Sequence, residues 1–189
     1  MANEIHQRAN PARIAHGGHP PQTKNFLHGI DGARAASAAE ILAGSIEAGK
    51  RCTIVGGGVV GCETGLHLAR HGREVTILEE LDDILTQGIS LPPMNQWMLR
   101  DLLAFNHVRV ITGARFTRIT DEGAVVRVAG DDHVIPTDTV IVAIGYKSNN
   151  SLFEELKKEA AEVFNLGDSR RVRNIRGAIW DAYEVARSM

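Results

Sequence analysis

A strand, a glycine-rich tight turn, a helix and a second strand follow one another between Thr53 and Glu80, and that succession leaves few folds open. Cys52-Thr53-Ile54-Val55 is a short β-rich run, and the turn Gly56-Gly57-Gly58-Val59-Val60-Gly61 follows it directly. Cys62 to Arg70 reads as a helix entered near Val59 and stopped at His71-Gly72. Glu74-Val75-Thr76-Ile77-Leu78 is the second strand, ending at Glu79. Two strands joined through a helix within about thirty residues are the spacing of a parallel βαβ crossover.

In Gly56-x-Gly58-x-x-Gly61 each glycine has its own task. The first permits the tight turn, the second lets backbone approach a pyrophosphate, and the third lets helix and strand pack closely. Gly57, Val59 and Val60 complete the cradle. The helix opening there points free N–H groups and its positive dipole end at the phosphates, worth about 0.3–1 kcal/mol per charge at a surface. Gly65, one turn on, extends the close contact. Such a motif alone also occurs in tight turns that bind nothing. Here it follows a strand, opens a helix and is answered by an acidic residue at the next strand's end, the full dinucleotide fingerprint. NAD(H) is the expected guest.

Glu79 should accept hydrogen bonds from the adenosine ribose hydroxyls and reject a 2′-phosphate. Two like charges about 4 Å apart repel by around 4 kcal/mol at an effective dielectric near 20, an upper-end figure for a site open to water. Glu80, Asp82 and Asp83 add to this, and no Lys or Arg follows the strand to receive such a phosphate. NADH is therefore expected over NADPH.

The rest of the chain fills in an α/β domain. Residues 1–36 carry the breaker signals Asn10-Pro11, Gly17-Gly18, Pro20-Pro21 and Asp31-Gly32 and read as an irregular lead-in. Ser37-Ala38-Ala39-Glu40 is a capping box opening a helix through Ile41, Leu42 and Ile46 that stops near Gly49. Pro92-Pro93 starts a helix over Met94–Phe105, and Val108–Ile111 is a third strand. Arg115–Thr120, Ala124–Val128 and His133–Ile135 alternate in period two between turn signals, which predicts an antiparallel meander. Thr139–Ile144 is nearly all apolar, as a strand buried on both faces would be. A helix at Ser151–Lys158, a strand at Val163–Leu166 and a helix at Asn174–Arg187 close the chain.

Composition sets outer bounds. An apolar content of 43% in 189 residues suffices for a core. No stretch approaches the roughly 20 apolar residues of a membrane span. Met1 to Arg13 is polar and lacks the apolar centre of a secretory signal. A net charge of −2 suggests neither nucleic acid nor an anionic membrane as partner. Cys52 and Cys62 form no C-x-x-C pair or disulfide framework, so a reduced, cytoplasmic setting is expected.

With these segments in place the chain resembles a known group. The runs Ile54 to Glu63, Val75 to Glu79, Asp138 to Gly145 with Asn149, and Leu166-Gly167-Asp168 are similar to the C-terminal region of the NADH:flavin oxidoreductases of the 2,4-dienoyl-CoA reductase and 2-enoate reductase type. More broadly they resemble the pyridine-nucleotide half of two-dinucleotide flavoproteins. The resemblance covers about residues 17 to 189 and implies a Rossmann-like FAD/NAD(P)-binding three-layer ββα domain, a parallel sheet with an antiparallel β-meander crossover. It implies an NAD(H)-binding domain at 37–145 and, at 146–189, a C-terminal remnant of a FAD-binding domain. Ala143-Ile144-Gly145 would pass close to the nucleotide, and Gly167-Asp168 would lie on the FAD side. Hydride would pass from NADH to FAD and on to a 2-enoate or 2,4-dienoyl-CoA type acceptor. The chain has one glycine-turn unit where the family has two, and no iron–sulfur cysteine cluster. It is therefore expected to be a fragment or stand-alone remnant that works with a flavin-bearing domain or subunit, is inactive alone, and leaves room for a homo-oligomer. FAD is expected in the intact enzyme.

Other residues carry two readings each. Glu63 matches a position near the nicotinamide in related flavoproteins, and a glutamate there also suits a helix dipole. Asp168 is a FAD contact or a turn residue. Cys62, at a helix N-terminus, is an activated thiol or a small packing residue, the latter favoured by its lack of a redox partner. His16 and His19 have no further ligand cluster, so no metal site is expected. His67, His71 and His107 read as surface or capping groups, and Arg170, Arg171, Arg173 and Arg176 as a solvated face or a phosphate or partner contact. No residue stands out as a catalytic acid, base or nucleophile. A non-catalytic nucleotide-binding module is the competing class; a methyltransferase is a third, disfavoured by the meander.

Overall fold

The computed structural model describes residues 12–15, 34–88, 91–160 and 162–188. In chain order the elements are β1 (Ala12–Ala15), β2 (Ala35–Ser37), α1 (Ala38–Leu42), β3 (Arg51–Val55), α2 (Val59–Arg70), β4 (Glu74–Leu78) and α3 (Pro93–Phe105). There follow β5 (Arg109–Ile111), β6 (Ala114–Thr120), β7 (Gly123–Val128), β8 (Asp131–Ile135) and β9 (Thr139–Val142). Then come α4 (Ser151–Leu156), β10 (Val163–Leu166), a 3₁₀ turn (Gly167–Ser169) and α5 (Ile175–Ser188). Two compact units result, which divide between Gly145 and Tyr146.

In the first unit five parallel strands run in the order β2–β9–β3–β4–β5. Strand alternation serves two cores, one on each face of this sheet. Ile54, Ile77 and Ile141 pack with Cys62, Leu66, Leu99 and Leu103 from the helices. Leu78 and Val140 pack with Ala114, Phe116, Ala124, Val126 and Ile135 from the antiparallel sheet β6–β7–β8. All four residues of β9 are buried, which is why that strand reads as a continuous apolar run. The architecture is the expected Rossmann-like three-layer ββα fold.

Local chemistry sets the helix ends. Ser37 caps α1 in a reciprocal box: Glu40 N–H donates to Ser37 Oγ at 3.2 Å, and Ser37 N–H donates to Glu40 Oε2 at 2.7 Å. Those bonds from Ser37 hold the Glu40 carboxyl below its usual range. α2 closes at His71 followed by Gly72 at φ +75°, a left-handed exit glycine makes cheaply. Pro93 opens α3 at a position whose N–H has no intrahelical partner anyway.

Three expectations are corrected. The lead-in is not irregular where it is described: β1 pairs with β10, and β2 pairs with β9. Alanine-rich strands of three or four residues have no alternation to betray them, and their neighbours decide them. The first helix ends at Leu42, not near Gly49, because Gly44 takes φ +70° and turns the chain; Ile46 still packs on the core from outside the helix. Strand β9 stops at Val142, leaving Ile144 exposed.

In the second unit β1 and β10 pair in parallel, and the 3₁₀ turn leads toward α5. Asp181 on α5 is buried and accepts from Gly167 N–H at 3.1 Å and from the Arg173 guanidinium, with Arg170 at 3.5 Å. Arg173 first, then Gly167, keep its carboxyl below the usual range.

Candidate functional site

The site grows from the end of β3. Gly56 N–H donates to Leu78 O at 2.8 Å, and φ is +110°. A Cβ here would sit 2.6 Å from Ala143 O, so the first glycine both makes the turn and lets the end of β9 lie against it. Gly57 is buried. Its N–H donates to Glu79 Oε2 at 2.7 Å, and its carbonyl accepts from Leu85 N–H at 2.8 Å and from Cys62 Sγ at 3.3 Å. Gly58 caps α2 without any side-chain bond, and a Cβ on it would meet nothing within 4 Å. Gly61 is the tightest position, since a Cβ there would lie 1.9 Å from Gly56 O. Gly65 then brings α2 onto the sheet, its Cβ direction 3.0 Å from Ile77 Cδ1.

Gly56 thus makes the tight turn and Gly61 the close packing, the latter on the carbonyl of the turn itself, while Gly58 stands in open space. The first intrahelical bond onto the cap runs from Cys62 N–H to Gly58 O at 2.9 Å. Among the described residues the N–H groups of Gly58, Val59, Val60 and Gly61 have no hydrogen-bond partner. They lie in the cap and first turn of α2, at the positive end of the helix dipole. Free donors of this kind are able to hold an anion.

Glu79 stands beside it, half-buried, its Oε1 accepting from Leu81 N–H at 3.0 Å and its Oε2 from Gly57. A carboxylate has about four lone-pair sites, so two remain for a pair of hydroxyls. The following loop folds back on the turn: Ile84 and Leu85 are buried, and Leu85 holds φ +60° to deliver its N–H to Gly57. A bulky residue in that region is costly and persists where its surroundings fix it. The fixing group is Arg100 on α3, which grips Asp83 with two bonds of 2.8 and 2.9 Å and Ile84 O at 2.6 Å. Arg100 holds the Asp83 carboxyl below its usual range.

Ala143 is buried against Gly56 and its N–H donates to Val55 O at 2.9 Å; Ile144 and Gly145 (φ +101°) continue from it, exposed. The fold therefore gathers Gly56–Gly61, Glu79 and Ala143 at one sheet end. Glu63 lies exposed, the fifth residue of α2 and past its first turn. Glu80 turns to Arg115, whose Nε is 3.5 Å from its Oε1. Gly167 and Asp168 belong to the second unit. Asp168 Oδ1 accepts from Arg173 N–H at 3.0 Å, a turn-closing bond, and the Gly167 N–H is taken by Asp181. Burial pushes the Cys62 thiol up to about 12 and Cys52 to about 11, so both are packing residues. His16 and His19 lie outside the described residues, among which no His/Cys/Asp/Glu group could hold a metal.

Sequence reasoning missed Arg100, Arg115, Leu85 and Asp181. An arginine that reaches back 17 or 35 residues has no local signal, and a positive φ at leucine has none either. Asp181 is the one buried residue of α5, on a side away from exposed Ile175 and Ile179, so helical periodicity does not single it out.

The groups gathered at the turn are unpartnered backbone donors beside a carboxylate, an arrangement that accords with a Rossmann-like FAD/NAD-binding domain. The sequence matches the pyridine nucleotide-disulphide oxidoreductase family over residues 7–170, and the chain belongs to that family. It is 41% identical over 161 residues to cinnamate reductase of Clostridium sporogenes, an alignment covering 85% of this chain and 24% of that protein. It is 32% identical over 151 residues to an NADH oxidase of Thermoanaerobacter brockii, covering 78% and 23%. Among solved structures, 2-naphthoyl-CoA reductase superposes with a TM-score of 0.83 at 31% identity over 91% of this chain and 26% of that one. The resemblance to the 2-enoate and 2,4-dienoyl-CoA reductase flavoproteins holds. The chain spans about a quarter of the length of these relatives.

Proposed function

We propose that this chain is the NADH-binding domain of a flavin-dependent oxidoreductase. The observation that carries the reading is the pairing of unpartnered N–H groups at Gly58–Gly61 with the Glu79 carboxylate on one turn. The residues fit the nucleotide: Gly58 leaves open the space a pyrophosphate needs, and Glu79 keeps lone pairs for the ribose diol. When bound, NADH would supply a hydride to FAD, and electrons would pass to a 2-enoate or 2,4-dienoyl-CoA type acceptor. The chain's own part is to hold phosphate at Gly56–Gly61, orient the ribose at Glu79 and discourage a 2′-phosphate.

Residues 37–145 would serve as the NAD(H) part, with Glu63, Ala143, Ile144 and Gly145 toward the nicotinamide end. Residues 146–189 would belong to a flavin-binding domain, with Gly167 and Asp168 at its FAD side. A larger flavin-bearing partner accords with the length of the relatives. A cytoplasmic setting accords with two free, buried cysteines and with the lack, among the described residues, of any helix long and apolar enough to cross a membrane.

Isothermal titration of the 189-residue chain with NADH, FAD and S-adenosylmethionine tests the reading. NADH should bind, and steady turnover should need added flavin or the partner domain. Binding of S-adenosylmethionine in place of NADH, or brisk NADH oxidation without flavin, would overturn it.

A further inference from the structure

Arg115 reaches Glu80 by a route that sequence order hides. Glu79 N–H donates to Ile111 O at 2.9 Å, Ala114 N–H to Glu79 O at 2.8 Å and Gly113 N–H to Leu81 O at 2.9 Å. These bonds lock the start of β6 against the acidic end of β4, on both sides of Glu80. Ala114 and Phe116 are buried, so the intervening Arg115 must face water, and its side chain is 72% exposed.

The cation is poorly matched where it stands. Across the β6–β7 pair Arg115 is in register with Arg127, a like charge directly opposite. Arg127 is served by Asp132 at 2.8 Å, and Asp132 is already shared with Arg118 at 3.7 Å. Glu80 is the anion left for Arg115, in a single-point contact of 3.5 Å with its own side chain 67% exposed. Such a pair is weak and easily exchanged. A guanidinium, by contrast, binds phosphate in a planar fork.

We propose that Arg115 is a specificity-determining residue, a guanidinium able to take a ribose 2′-phosphate that Glu80 keeps occupied. The proposal rests on the reading of the glycine turn and Glu79 as an NADH cradle. Glu79 fixes the ribose; Glu80, the next residue, occupies the cation a 2′-phosphate would use and repels that phosphate itself. Preference for NADH then comes from two carboxylates acting differently, Glu79 by direct repulsion and Glu80 chiefly by holding Arg115.

Titration of the 189-residue chain with NADH and NADPH, in the unchanged, Glu80→Gln, Arg115→Gln and double forms, tests this. Glu80→Gln should raise the NADPH:NADH affinity ratio by roughly fivefold to tenfold, a gain that shrinks as salt rises. Arg115→Gln alone should leave NADH affinity as it was. The double variant should lose most of the Glu80→Gln gain. A gain that survives in full in the double variant, or no gain in Glu80→Gln, overturns the role of Arg115. Failure of the unchanged chain to bind NADH at all is a separate result and removes the reading beneath it. Circular dichroism of each variant establishes that the fold is retained.

Discussion

The carboxylate of Glu79 accepts a hydrogen bond from the backbone N–H of Gly57 at 2.7 Å, across 22 residues of sequence. The acid that orients the ribose in the proposed complex is thus itself positioned by the glycine turn that would hold the phosphates. Backbone and side chain prepare each other before any ligand arrives, which lowers the cost of ordering them on binding.

Two glycines separate folding from binding. Gly61→Ala forces a methyl against Gly56 O, where the Cβ would lie at 1.9 Å. It should destabilise the unit by about 3 kcal/mol, the upper end for overpacking, as read by urea unfolding.

Gly58→Ala is the converse case. Its φ of −71° is open to any residue and its Cβ meets nothing within 4 Å. The urea midpoint should barely move, while NADH affinity falls by roughly tenfold or more, since the methyl enters the space where a pyrophosphate would approach in the proposed complex. Titration calorimetry and a urea melt on the same sample check both halves.

Both thiols are buried and raised in pKa, Cys62 to about 12 and Cys52 to about 11. A disulfide reagent at pH 7–8 should therefore release almost no chromophore from the native chain. In denaturant it should release two equivalents, one for each cysteine.

The Arg51–Asp138 pair ties β3 to the residue before β9, and the Arg51 side chain and backbone hold the Asp138 carboxyl down to about 2. A depressed carboxylate stabilises the fold fully above its unfolded value near 3.9 and loses that contribution as pH falls through about 2. Thermal melts between pH 5 and pH 2 should show a slope that is shallower in Asp138→Asn, and the two proteins should converge at the acid end. Both side chains are open to water, so the difference should be modest and salt-sensitive.

What could be read from sequence was whatever local chemistry encodes. Ser37 and Glu40 announce their capping box within four residues, Gly56 to Gly61 announce their turn, and the turn signals that divide Arg115 to Ile135 announce the meander. Strand β4 and strand β10 have the expected bounds. What could not be read depends on partners far away. Ala35–Ser37 becomes a strand because β9 lies beside it. Arg115 comes to Glu80 through the β5–β6 return, and Arg100 reaches Asp83 from α3. Glu80 and Asp83 stand out in the sequence; the arginines that answer them do not.

The most direct test of the central claim is an amide chemical-shift titration of the ¹⁵N-labelled chain with NADH. The N–H groups of Gly58, Val59, Val60 and Gly61, unpartnered among the described residues, should shift together with Gly57, and NADPH at the same concentration should shift them far less. Shifts that avoid Gly56 to Glu80, or that NADPH reproduces at equal concentration, would contradict the account.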